Sequence, residues 1–180
     1  MLDAAAQLLC EGGFPGVTIE AVAARSGVAK TTIYRHWPTR AELLIAAFQT
    51  MACEPPRVDT GDVRDDLVLL MSGLAEQLRT ERWASVLPSL AAEARHEPGL
   101  AEIHARFVAE RRAHVLGVIA RGIDRGQLPP GTDAGLLATM VAGPVFFRAL
   151  VSLEPLDEPG LPERVVDAAL YGMRTPAAPG

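Results

Sequence analysis

With 180 residues, 49% of them hydrophobic and 22% charged, the chain can bury one good core, or a modest core with a small appended domain, and its composition is neither disordered nor fibrous. The formal net charge of −5 counts against indiscriminate coating of nucleic acid, Asp3 and Glu11 interrupt any secretory signal, and the longest uncharged apolar stretch, residues 134–147 between Asp133 and Arg148, is expected to be too short to cross a bilayer. Cys10 and Cys53 have no His or Cys at metal-ligand spacing and read as small apolar residues in a reducing cytoplasm, the location expected for the protein.

In chain order, a first helix ends at Gly13-Phe14. Thr18 is a good N-cap for a short second helix, in which Ile19, Val22 and Ala23 take the i, i+3, i+4 spacing of one buried face. Gly27 ends it, because glycine tolerates the left-handed conformation that a sharp inter-helix turn needs, and Val28 plugs the angle between the helices. A third helix runs from Lys30 to His36. At about 100° per residue, Ile33, Ala29 and Trp37 point inward, Thr31 and Arg35 point away, and Thr32 and Tyr34 flank them. The outward face therefore suits a DNA major groove. Lys and Arg meet guanine or phosphate, Thr meets base edges, and Tyr meets phosphate. Pro38 stops this helix, and Thr39 with Glu42 forms a capping box for a fourth, which runs to about Cys53 and breaks at Glu54-Pro55-Pro56.

Charge follows the same division. Between Thr18 and Arg40 stand Arg25, Lys30, Arg35 and Arg40 against Glu20, a local balance of +3 that leaves −8 for the rest. One face attracts phosphate while the remainder discourages unspecific binding. Lys30 is the only lysine in the chain.

Beyond the joint, Asp62 caps a helix to Thr80 with Leu67, Leu70, Met71, Leu74 and Leu78 at helical spacing. A helix over 83–95 contains Pro88, which must kink it or mark its true start. Pro98 launches the longest helix, to about Gly122. Asp133 caps a helix over 134–153 that is apolar nearly all round, and Pro162 starts a last amphipathic helix to Met173. No strand alternation of useful length appears. The expected division is a helix-turn-helix domain over 1–53, a linker over 54–61, a helical domain over 62–174 and a tail over 175–180. A helix hydrophobic on every face must be covered on every face. Together with the final helix it predicts a four-helix contact across a two-fold axis, with Leu137, Val141, Val166 and Leu170 in the dimer interface. A short recognition helix reads too few bases alone, so a homodimer on a palindromic operator is expected on independent grounds.

The segment from Leu2 to Phe48 resembles the N-terminal domain of the TetR family of transcriptional regulators. The resemblance is carried by Gly13-Phe14, Val17-Thr18-Ile19, Ala23, Gly27-Val28, Thr32-Ile33-Tyr34, His36-Trp37-Pro38 and Leu43-Leu44. It implies an all-α protein with a three-helix DNA-binding domain and a C-terminal helical domain for ligand binding and dimerisation. Two departures stand out. Ala29 replaces the Ser that commonly caps the recognition helix, at a cost of about 1 kcal/mol of cap energy. No basic residues precede the first helix either, so a minor-groove arm is missing or a longer natural sequence has been trimmed.

Catalytic signatures are not found. Di-metal bundles need two Glu-x-x-His pairs and only Glu93/His96 is present, while His104 and His114 lie ten apart on one helix. There is no Gly-rich phosphate loop and no nucleophile elbow. The reading is therefore a cytoplasmic DNA-binding regulator, a repressor released by a small apolar effector, and not an enzyme, with no cofactor or metal. DNA contacts are expected from Thr18, Lys30, Thr31, Thr32, Tyr34, Arg35, His36 and Arg40, and effector contacts from Met71, Leu74, Trp83, Leu87, His104, Phe107, Phe147 and Arg148. Two readings compete with it: a helical ligand- or partner-binding protein that no longer binds DNA, and a dimeric DNA-binding regulator with no effector.

Overall fold

The computed structural model describes residues 1–51 and 57–172, and every regular element among them is helical. The helices are α1 Leu2–Gly16, α2 Ile19–Ser26, α3 Lys30–His36, α4 Arg40–Met51, α5 Val63–Thr80, α6 Arg82–Glu93, α7 Pro98–Asp124, α8 Ala134–Phe147 and α9 Leu161–Tyr171, with a π-helical turn, Arg148–Ser152, directly after α8. The expectations for Cys53, for the break at Glu54-Pro55-Pro56, for Met173 and for the tail over 175–180 lie outside the described residues.

Two compact units emerge, Met1–Glu54 with Thr80–Ala109, and Pro55–Arg79 with Glu110–Gly180. They do not follow the sequence-order division at 54–61, because α6 and the first part of α7 pack with the helix-turn-helix. The reason is aromatic. Phe48 meets Phe14 at 6.4 Å and Phe107 edge-on at 5.1 Å, and Phe107 meets Trp83 at 5.3 Å. All four rings are buried, and the four N-terminal helices alone offer too little surface to cover them. α1 bends sharply at Gly13, whose φ of 63° favours glycine and whose missing Cβ leaves room for the Ser89 hydroxyl.

The second unit gathers Leu67 and Met71 of α5, Ile119 of α7, Val141 and Val145 of α8 and Val166 of α9 into one core. Asp62 caps α5 through the Arg64 and Asp65 N–H groups, at 2.8 and 3.0 Å, and Asp133 caps α8 through Leu136 N–H at 2.9 Å.

Three expectations need correcting. Leu137, Val141 and Val166, assigned to a dimer interface, are buried inside the core of the chain itself, and Leu170 is half-buried against the same core. In a helix apolar all round, sequence does not show which face turns inward. The outer face instead carries Leu136, Met140 and Phe147, continued by Val151 and Leu153. The apolar stretch is also longer than its charge boundary suggested. Helix continues through the π turn, so that Ala134–Ser152 is long and apolar enough by length and composition to cross a membrane, with 22% of it buried. Arg148 lies inside the run and pairs with Glu154 and Glu158 of the following loop, at 3.3 and 2.8 Å. Cys10 is a free, exposed cysteine with its thiol 3.9 Å from Met51 Sδ. Ala29 is exposed and Trp37 half-buried, so Ile33 alone anchors α3.

Arg64 on α5 grips Asp167 on α9 with both arms of its guanidinium, at 2.6 and 3.0 Å. Hydrogen bonding to Arg64 holds the Asp167 carboxyl below its ordinary value. A depressed folded-state pKa means the pair stabilises the fold above the ordinary carboxylate range and loses that contribution as pH falls through the lowered value. Asp167→Asn is therefore expected to lower the melting temperature at neutral pH, and the gap to wild type should close as pH drops below about 4. A gap that persists into strong acid would show that the pair contributes nothing through its charge.

Candidate nucleic-acid interface and ligand cleft

The helix-turn-helix forms as its residues require. Thr18 Oγ1 accepts the Ala21 N–H at 3.1 Å and starts α2, and Gly27, with φ 69° and ψ 9°, ends it. Val28 N–H donates to Ser26 Oγ at 3.3 Å within the turn. α3 starts at Ala29 without a side-chain cap and rests on the fully buried Ile33. With Ile33 turned inward, Lys30, Thr31, Tyr34, Arg35 and His36 are exposed and Thr32 is half-buried. The next helix opens with half of the expected capping box. Thr39 Oγ1 accepts the Glu42 N–H at 3.2 Å, while the reciprocal contact is the Thr39 hydroxyl donating to Glu42 Oε1 at 3.1 Å.

Two ion pairs brace this surface. Arg25 at the end of α2 meets Glu11 of α1 at 2.7 Å, and Lys30 Nζ lies 2.8 Å from Glu20 Oε1. The hydrogen bond from Lys30 holds the Glu20 carboxyl below its ordinary value. Lys30 is therefore exposed on the outer face of α3 but already paired with Glu20.

Arg40 is a correction. Expected on a phosphate, its guanidinium instead donates to the Phe14 and Val17 carbonyl oxygens, the latter at 2.7 Å, and pairs with Glu97 at 3.4 Å. Ser89 Oγ accepts the Phe14 N–H at 3.0 Å from the other side of the same corner. Ser89 and Glu97 carry no motif of their own; only the bend at Gly13 marks the corner they hold.

The expected effector residues do not gather at one site. Trp83, Leu87 and Phe107 are buried in the first unit, where His104 is half-buried. Met71 is buried and Leu74 half-buried in the second, Phe147 is exposed, and Arg148 is tied to Glu154, Glu158 and the Pro155 carbonyl. The second unit has a cleft of about 480 Å³ elsewhere, lined by Arg57, Val58, Asp59, Leu70, Ala113, His114, Gly117, Val118 and Arg121. Its rim is braced: Arg121 donates to the Val58 carbonyl at 2.6 Å, Arg125 pairs with Asp59 at 2.8 Å, and the buried Asp66 accepts the Thr60 N–H at 2.6 Å. Sequence reasoning missed these residues because 57–59 read as linker. The available signal was Ala113 and Gly117, small residues four apart on α7 that leave one helix face open. Among the described residues no group of three or more His, Cys, Asp or Glu side chains converges to hold a metal.

Comparison with known proteins matches both halves of the chain. The model of bacterial regulatory proteins of the tetR family covers residues 1–47, and that of the tetracyclin repressor-like C-terminal domain covers residues 57–169. The HTH-type transcriptional regulator YdeS of Bacillus subtilis (strain 168) is 32% identical over 170 residues, 93% of this chain and 85% of its own. The TetR family transcription regulator SCO0332 superposes with a TM-score of 0.72 at 30% identity, over 97% of this chain and 96% of that one. FadR from Bacillus subtilis, solved in complex with stearoyl-CoA, shares the fold at 20% identity, with a TM-score of 0.75 over 96% and 97% of the two chains. With a helix-turn-helix built on Ile33 and both family models matched in order along one chain, the protein belongs to the tetR family of DNA-binding transcriptional regulators and is not an enzyme.

Proposed function

We propose that the protein is a homodimeric repressor that reads a palindromic operator through α3 and leaves it when a small molecule binds its second unit. The observation that carries this is the outer face of α3, polar and cationic, over a single buried anchor. Lys30, Thr31 and Thr32 read base edges, while Thr18, Tyr34, Arg35 and His36 hold phosphates. The protein works in the cytoplasm, on the DNA it regulates.

The dimer contact is the outer face of α8 and its π turn rather than the residues expected from sequence. Leu136, Met140, Phe147, Val151 and Leu153 form an apolar run too extended for a surface that stays wet. Two-fold pairing on this face supplies the second recognition helix that a palindrome requires.

The effector site is the cleft between the 57–59 segment and α7, whose volume falls in the range of about 300–1,000 Å³ typical of small-molecule sites. Leu70, Val58 and Val118 offer an apolar wall and His114 and Arg57 a polar rim, so the ligand has an apolar body and a polar end. FadR with stearoyl-CoA supports a ligand-bearing role for this fold.

Lys30→Ala and Tyr34→Ala are expected to leave folding intact and weaken operator binding, the first by about 1–3 kcal/mol with relaxed base preference and the second by a similar factor on every sequence. Lysine-selective labelling checks this directly, since only Lys30 and the N-terminus react; a Lys30 left unprotected by operator DNA would remove it from the interface. Leu136→Glu with Val151→Glu should give folded monomers in sedimentation, whereas Val141→Asp should unfold the second unit, because a buried unpaired charge costs several kcal/mol. Folded dimers in the first case would place the interface elsewhere. Gly117→Trp, which fills the cleft, should abolish release of operator by any inducing compound while leaving operator binding intact. Retained induction would sink the cleft as the effector site.

A further inference from the structure

Arg40 opens α4 at the edge of the reading surface, yet its guanidinium turns into the protein. Nε donates to the Val17 carbonyl at 2.7 Å, Nη2 donates to the Phe14 carbonyl, and Nη1 sits 3.4 Å from Glu97 Oε2. A planar guanidinium with its N–H groups in a fixed fork bridges two carbonyls three residues apart; a single ammonium does not. Arg40 and Glu97 keep about one third of their side-chain surface, at 33% and 35%, so the cation is partly withdrawn from water and its charge is answered by the carboxylate.

The two carbonyls belong to the corner over 13–17, the segment that delivers the chain to Thr18 and the start of α2. The same corner is held from behind by Ser89 of α6, whose hydroxyl accepts the Phe14 N–H and fills the space a Cβ on Gly13 would need. Glu97 stands at the entry to α7, where its backbone carbonyl accepts the Leu100 and Ala101 N–H groups. Three helices beyond the helix-turn-helix core contacts thus meet at one point: α4 through Arg40, α6 through Ser89 and the start of α7 through Glu97.

We propose that Arg40 is a positioning residue for operator recognition, oriented by Glu97, and that with Ser89 it fixes the angle at which α2 and α3 meet DNA. This rests only on DNA reading by α3 and is independent of the effector cleft and of the dimer face.

The opposing possibility is that Arg40 swings out to hold a phosphate, and the two differ in what the full-length protein does on two duplexes. One duplex is selected from a random-sequence pool by the wild-type protein; the other is a scrambled duplex of equal length. A phosphate contact acts alike on both and sets the salt dependence, at about 0.9 in the slope of log K against log salt per contact. A positioning residue acts on the selected duplex alone. We expect Glu97→Ala and Arg40→Lys each to lower the ratio of selected to scrambled affinity by roughly 5- to 10-fold, within the range of ordinary site coupling, with an unchanged salt slope. An unchanged ratio in Glu97→Ala, or an Arg40→Gln variant whose slope flattens by about 0.9 and is restored in Arg40→Lys, overturns the proposal. Thermal melts run alongside. Should the Arg40 variants fail to fold, Glu97→Ala decides alone, because it removes a part-exposed carboxylate and leaves the α7 backbone cap in place.

Discussion

The four helices of the first fifty or so residues cannot bury their own apolar surface, and the arrangement of the first unit follows from that shortage. Phe14 and Phe48 emerge from α1 and α4 with nothing in the helix-turn-helix large enough to cover them. Phe107 and Trp83, brought by α7 and α6, complete the stack. The rings contribute burial and edge-on geometry together, worth about 0.5–1.5 kcal/mol per pair beyond the buried area. Helices that sequence order assigns to a ligand domain are therefore structural parts of the DNA-reading unit.

The parts of the molecule that were legible in the sequence are those specified by local chemistry. Thr18, Gly27, Thr39, Asp62 and Asp133 each mark a helix end, because a hydroxyl, a carboxylate or a missing Cβ satisfies a backbone requirement within four residues. The outward face of α3 was legible for a related reason: a seven-residue helix with one apolar residue between polar neighbours has only one way to face. Elements with no such asymmetry were opaque. α8 is apolar at nearly every position, so packing against α5, α7 and α9 decides that Val141 turns inward and Met140 outward. The same holds for Trp83 and Phe107. Helical spacing identified them as buried and could not distinguish a core from the wall of a cavity.

Two arginines sit differently from their expected places, in each case through their partners. Sequence reasoning placed Arg40 on DNA and Arg148 on an effector. Each is met by carbonyl oxygens and carboxylates from its own chain, Arg40 by Phe14, Val17 and Glu97, Arg148 by Pro155, Glu154 and Glu158. No spacing rule reports these partners, since Glu97 lies 57 residues from Arg40. A long side chain with a forked head reaches whatever the fold brings near, and a local charge balance of +3 overstates what faces the DNA once Arg25, Lys30 and Arg40 are seen to be paired.

That pairing has a consequence for discrimination. A reading surface whose cations were all free would bind any duplex, because phosphate attraction is independent of sequence. Here Arg35 stays exposed on α3 while Glu20 holds Lys30, and the body of the chain is strongly acidic. On the proposed function, in which Lys30 meets a base edge, unspecific DNA must displace Glu20 without offering Lys30 a matched base in return, whereas the right base edge replaces the carboxylate with a partner in fixed geometry. The exposed ion pair contributes little to stability; on the same proposal, its effect is to lower the affinity of the wrong sequence more than that of the right one. Specificity is a difference of affinities, and a weak competitor built into the reading face widens that difference at a small loss of overall binding.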